Sequence, residues 1–200
     1  MVDFFISLFL ATLITALFTS RLYRLLGWYA LNSLTLGIIA LLYGEILDDG
    51  VMLISGSLTI LLKAILLPLI LKYISRKFEL TRAITPRISI HYAIILVPTI
   101  LVFTFYLTEP LRAVMQGSSN YIAIAIASMF LSLIIMIEHE YTAPKIIGFL
   151  MMENSLFLLS VTATGGMPMM IELGIFFDLL MAIVVINLLF KKEDEGAGNA

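Results

Sequence analysis

Seven stretches of the chain, at 2–20, 25–44, 51–74, 89–107, 120–137, 145–164 and 168–190, are almost wholly apolar. Runs of about 17 to 25 such residues cross the roughly 30 Å hydrocarbon core of a bilayer as an α-helix. A backbone in lipid has no water to bond to, and a run of this kind satisfies its own polar groups by coiling. The predicted fold is therefore all-α, an integral membrane bundle of about seven transmembrane helices. Composition agrees: 61% of residues are hydrophobic and 13% are charged, against roughly 25% charged in soluble chains. Most of this surface is expected to face lipid.

The first run carries Asp3 near its start, lacks a basic lead and is followed by Arg21 and Arg24, so it reads as a retained helix rather than a signal peptide. Connections are short, and 75–88 is the one that has room for an interfacial helix. The stretch 191–200, KKEDEGAGNA, is polar and glycine-rich and reads as an unpacked tail. Arg21, Arg24, Arg76, Lys77, Arg82, Arg87, Lys145, Lys191 and Lys192 fall on one side of the predicted membrane, against Arg112 on the other. Cytoplasmic loops retain positive charge, which puts the N-terminus outside and the C-terminus in the cytoplasm.

No cysteine occurs and the net charge is −2. The chain cannot ligate an iron–sulfur cluster through thiolates, and nothing in its charge points to a nucleic-acid partner. No cofactor is expected in it. Function is sought instead among ionisable residues deep in the apolar runs, each of which costs roughly 2.5 to 3.5 kcal/mol at a helix centre. Lys63, Glu153, Glu172 and Asp178 qualify. Lys72, nearer a helix end, can snorkel. His91, at the start of the fourth run, is either interfacial or a proton relay.

Helical spacing groups these residues with small and polar neighbours. Gly56, Thr59 and Lys63 share a face in the third run, and Pro68 predicts a kink near Lys63. Glu153, Ser160 and Thr164 form a stripe in the sixth, with Asn154 beside it. Gly174, Asp178 and Ala182 do the same in the seventh, so small residues flank the acid. A carboxyl so placed can carry a proton, or can serve only to staple helices together. For Lys63 the structural alternative is a static salt bridge. Thr12, Thr15 and Thr19, and Ser128 with Ser132, read as ordinary contact faces.

The run KIIGFLMMENSLFLLS at 145–160, followed by GMPMMIELGIFFDLLMA at 166–182, resembles the hydrogenase-4 component E family. The C-terminal part of that family is similar to the small K subunit of respiratory complex I and its antiporter-related counterparts. The resemblance implies one membrane domain over 1–190. Residues 1–119 would be a four-helix N-terminal extension and 120–190 a three-helix part like the K subunit. It rests on Lys145, Gly148 and Glu153 in the sixth run and an acid in the seventh. It implies that Glu153 lies on a proton path, joined by Asp178 or Glu172, with Asp178 at the more suitable depth. It also implies partners: antiporter-like membrane subunits and a peripheral hydrogenase arm holding the metal clusters.

The function this predicts is that of a non-catalytic, membrane-arm subunit of a complex I-related energy-converting hydrogenase or formate hydrogenlyase, contributing carboxylates to proton or Na⁺ translocation. Two alternatives compete. One is an assembly subunit with no ion-path role. The other is a freestanding seven-helix transporter or retinal-type photoreceptor, disfavoured because the lysine falls in the third run and the acid in the seventh, the reverse of that class.

Overall fold

The computed structural model of the 200-residue chain describes residues 1–77, 90–113, 119–139 and 141–164. They form α1 (Val2–Leu17), α2 (Leu22–Leu47), α3 (Gly50–Thr59), a π-helical segment (Ile60–Leu66), α4 (Leu67–Lys77), α5 (Ile90–Leu107), a short 3₁₀ turn (Glu109–Ala113), α6 (Ser119–Glu138) and α7 (Thr142–Thr164). Five helical spans are long and apolar enough to cross a membrane: Leu22–Leu47, Gly50–Tyr73, Tyr92–Leu111, Ser119–Glu138 and Thr142–Ala163. The apolar α1, with 16 residues, is about 24 Å long at 1.5 Å per residue. The protein is thus a multi-pass, all-α membrane bundle with five or six spanning helices among the described residues. The seventh apolar run, the tail 191–200 and most of the 75–88 connection lie outside them.

Burial identifies the centre. In α7, 67% of the spanning window is buried inside the protein, against 17% for the α5 span. α7 packs on α6 and on α2, and α2 also holds α1, α3 and the π segment. Exposed apolar residues such as Leu61, Leu69, Tyr92, Ile95 and Val102 turn outward, as lipid-facing residues do. Polar side chains in the spans are mostly satisfied within their own helix. The Thr15 hydroxyl donates to the Ala11 carbonyl at 2.8 Å and Ser132 to the Ser128 carbonyl at 2.8 Å, which removes the cost of leaving a donor in hydrocarbon.

Glycines set how closely α2 and α3 approach. A Cβ on Gly56 would sit 3.0 Å from the Gly37 carbonyl oxygen and 3.0 Å from the Leu41 nitrogen, and one on Gly44 would sit 3.0 Å from the Leu53 nitrogen. The helices therefore meet backbone to backbone, the contact that small residues permit in lipid. A tight turn joins them. Asp48 takes the left-handed conformation at φ 53° that ends α2, and the Asp49 carboxylate accepts from the Val51 N–H to cap α3.

Near Lys63, where the sequence predicts a kink, the helix widens. Pro68 has no N–H to donate to the Ala64 carbonyl, and the turn before it is wound as a π-helix, in which the Leu67 N–H bonds to the Leu62 carbonyl five residues back. The span then continues into α4. Of the seven residues Ile60–Leu66, Lys63 alone is buried. The segment turns leucine and isoleucine toward lipid and its one cation toward protein.

Gly56→Leu is expected to force α2 and α3 apart and lower stability by about 1–3 kcal/mol. Gly27→Ala, where an added Cβ meets nothing within 4 Å, is expected to be neutral or stabilising. Thermal unfolding in detergent measures both.

Candidate functional site

Lys63 comes from the π segment and Glu153 from the middle of α7, and the lysine Nζ lies 3.3 Å from the Glu153 Oε1. Both are buried, with Lys63 2% and Glu153 6% exposed. α2 packs against both the π segment and α7, and its glycines let the π segment come close enough for the lysine to reach across. At an effective dielectric of about 20, two unit charges at this separation attract by about 5 kcal/mol. That attraction offsets the desolvation of both ions only while both are charged.

A network of amides holds α7 in the rotation that aims Glu153 at the lysine. Asn32 of α2 donates through its Nδ2 to the Phe9 carbonyl at 3.3 Å and to the Thr12 hydroxyl oxygen at 3.0 Å. The Thr12 hydroxyl itself donates to the Phe9 carbonyl at 2.6 Å. A carbonyl cannot donate, so the Asn32 amide has one orientation and its Oδ1 points the other way. There it accepts from the Asn154 Nδ2 at 2.9 Å, which also donates to the Ser33 Oγ at 2.8 Å. The Asn154 Oδ1 is left as a buried acceptor without a hydrogen-bond partner among the described residues. One residue of rotation in α7 would turn its side chains by about 100° and break all of this.

The structure brings together two of the residues singled out in the sequence, Lys63 and Glu153, and buries Gly56, Thr59 and Ser160 with them. Glu172 and Asp178 lie outside the described residues. His91 is in the first turn of α5, where only its backbone is described. Thr12, read from spacing as an ordinary contact, is a member of the amide network. Asn32 lies outside the residues singled out by charge, although a lone amide in the middle of an apolar run is a usable signal.

A second buried group lies at the turn between α6 and α7. Glu138 and His139 are 2% and 1% exposed. The His139 Nδ1–H donates to the Ile135 carbonyl at 2.8 Å. Its Nε2 and the Glu138 Oε2 have no hydrogen-bond partner among the described residues. Burial lowers the affinity of the imidazole for a proton below its ordinary value, partly offset by the bond to Ile135. The sequence pattern hid this pair, because the charged triplet at the end of the fifth run reads as a solvated loop.

A lipid-embedded helical bundle organised around a buried ion pair is the class this chain defines. The chain contains no cysteine, and among the described residues no three His, Asp or Glu side chains cluster to hold a metal. No protein-family model and no solved structure matches it. It is similar to hydrogenase-4 component E of Escherichia coli K12, 26% identical over 184 residues that cover 90% of this chain and 85% of that protein. The Shigella flexneri protein of the same name matches equally. An uncharacterized Mycobacterium tuberculosis protein is 27% identical over 168 residues, 83% of this chain and 75% of its own length. The chain is thus similar, over most of its length, to proteins named as a hydrogenase component.

Lys63→Met leaves Glu153 buried without its cation and is expected to cost about 3–5 kcal/mol, most of which the double variant Lys63→Met/Glu153→Gln recovers. Chemical or thermal unfolding of the wild type, Lys63→Met, Glu153→Gln and the double variant measures the coupling. For His139 the folded state disfavours the charged imidazole. Its contribution is therefore intact above the unfolded value near 6.5 and is lost as pH falls below it. His139→Asn, which retains a donor for Ile135, is expected to flatten this acid dependence of the unfolding midpoint.

Proposed function

We propose that this chain is a membrane-arm subunit of a complex I-related energy-converting hydrogenase or formate hydrogenlyase, and that the Lys63–Glu153 pair is a proton-handling element within it. The observation that carries the reading is the pair itself, two opposite charges 3.3 Å apart in the packed interior of a bundle surrounded by lipid. Intramembrane ion pairs of this kind mark ion pathways more often than they supply stability. The similarity to hydrogenase-4 component E supplies the context. Redox chemistry belongs to partner subunits holding the metal clusters, and antiporter-like membrane subunits are the proposed neighbours.

In this reading a conformational or charge change in a neighbouring subunit alters the distance between Lys63 and Glu153. With the lysine close, Glu153 is held as a carboxylate. With it displaced, the buried carboxylate gains affinity for a proton, and return of the lysine expels that proton. The proton is the proposed cargo in preference to Na⁺, because Lys63 already occupies the position a metal cation would need. Glu172 and Asp178 in the seventh apolar run are proposed to continue the path, and His91 is a candidate relay. The proposed orientation puts the N-terminus outside. The start of α2 with Arg21 and Arg24, Lys72 in α4 and the start of α7 with Lys145 would then all lie on the cytoplasmic side.

The test is made in the assembled complex. Glu153→Gln alone strands the lysine charge, so the informative protein is Lys63→Met/Glu153→Gln. It is expected to assemble, to retain electron transfer and to lose proton translocation per electron in sealed vesicles. Glu153→Asp should retain part of that translocation, and Lys63→Arg more of it than Lys63→Met. Normal stoichiometry in the assembled double variant would leave the chain an assembly subunit. Tags at 48–49 and at the C-terminus should report opposite faces of the membrane. Both on one face would overturn the seven-helix orientation.

A further inference from the structure

Between α2 and α4 the surface opens into a groove of about 470 Å³ lined by Tyr23, Leu26, Gly27, Ala30, Pro68, Leu69 and Lys72. That volume lies in the roughly 300–1,000 Å³ range of small-molecule sites. The sequence makes the groove by omission. Gly27 and Ala30 give α2 little bulk there, and a Cβ at Gly27 would meet nothing within 4 Å.

The lining is ordered along the membrane normal. α2 starts at Leu22 and α4 ends at Lys77, both at the same end of the bundle. Tyr23 and Lys72, the polar residues, therefore stand at the end nearer the helix termini, and Ala30, Pro68 and Leu69 stand deeper. Lys72 is exposed and makes no salt bridge among the described residues. Arg21 and Arg24, also exposed, are at the same end. A ligand that satisfies this arrangement has an anionic head at the depth of Lys72 and an apolar body extending inward. A second groove, of about 380 Å³ along Leu53, Ile54, Ser57, Leu58 and Leu61, has no such order. Its one polar group, the Ser57 hydroxyl, is already bonded to the Leu53 carbonyl.

We propose that the α2–α4 groove is a binding site for an anionic phospholipid, with the phosphate on Lys72 and an acyl chain along Gly27, Ala30 and Leu69. Basic pockets between spanning helices at one membrane face select such headgroups. A lysine stem can lie along such an apolar wall while its ammonium stays at headgroup depth. The site is independent of the Lys63–Glu153 reading and holds whatever becomes of it.

The test is native mass spectrometry of the full chain released from nanodiscs of phosphatidylglycerol or of phosphatidylcholine. The wild type is expected to retain one phosphatidylglycerol in preference to phosphatidylcholine. Lys72→Gln should reduce that preference about fivefold, the factor one lysine is worth beside anionic lipid. Gly27→Leu fills open space, should fold normally and should release the lipid. Equal retention of both lipids, or retention of phosphatidylglycerol unaffected by Lys72→Gln and Gly27→Leu, would overturn the proposal. So would a photo-crosslinker at Leu69 of the full chain that captures protein rather than lipid in native membranes.

Discussion

A lysine and a glutamate in contact inside a lipid-embedded bundle set strict terms for everything around them. Each charge is tolerable only while the other stays within a few ångströms, because the surroundings offer little water to screen or solvate either one. The Lys63–Glu153 separation of 3.3 Å therefore constrains three things at once: the rotation of α7, the closeness of α3 to α2, and the winding of the helix that carries the lysine. Each has its own device in the structure.

The rotation of α7 is held by Asn154, whose amide is locked through Asn32 to the backbone of α1. The closeness of α3 to α2 comes from Gly37, Gly44 and Gly56, where backbone meets backbone. The winding is altered by the π segment ahead of Pro68, in which Lys63 is the one buried residue. π-helical turns are rare in proteins and recur at functional sites. Here the extra width places a cation inside a segment whose other residues turn toward lipid. A buried ion pair stabilises a fold no better than well-packed apolar residues in place of both partners would, which favours a functional explanation for the charges.

Much of the fold was legible in the sequence because lipid is an unforgiving solvent. The second to sixth apolar runs correspond to spanning helices within a few residues at each end, as backbone self-satisfaction in hydrocarbon requires. Lys63 and Glu153 were also visible singly, since ionisable residues deep in apolar runs stand out by cost. Other features were hidden. The fifth run gave no sign that Glu138 and His139 would be buried, because a charged helix end looks the same whether or not another helix covers it. Asn32 does not stand out in the sequence, because an amide carries no formal charge.

By itself the sequence determined that the chain is a multi-pass membrane bundle, where most of its helices lie and which charges are expensive. These follow from local length and hydropathy, properties of a segment taken alone. Only the tertiary structure decided that the lysine of one helix meets the glutamate of another, that Asn154 is oriented through Asn32, and that the turn before Pro68 is wound as a π-helix. Those facts depend on distances between segments about ninety to one hundred and twenty residues apart, and on the choice of how a helix repairs a missing hydrogen bond. Hydropathy is blind to both, because it sums the preference of each residue for lipid and contains no information about which residues face one another.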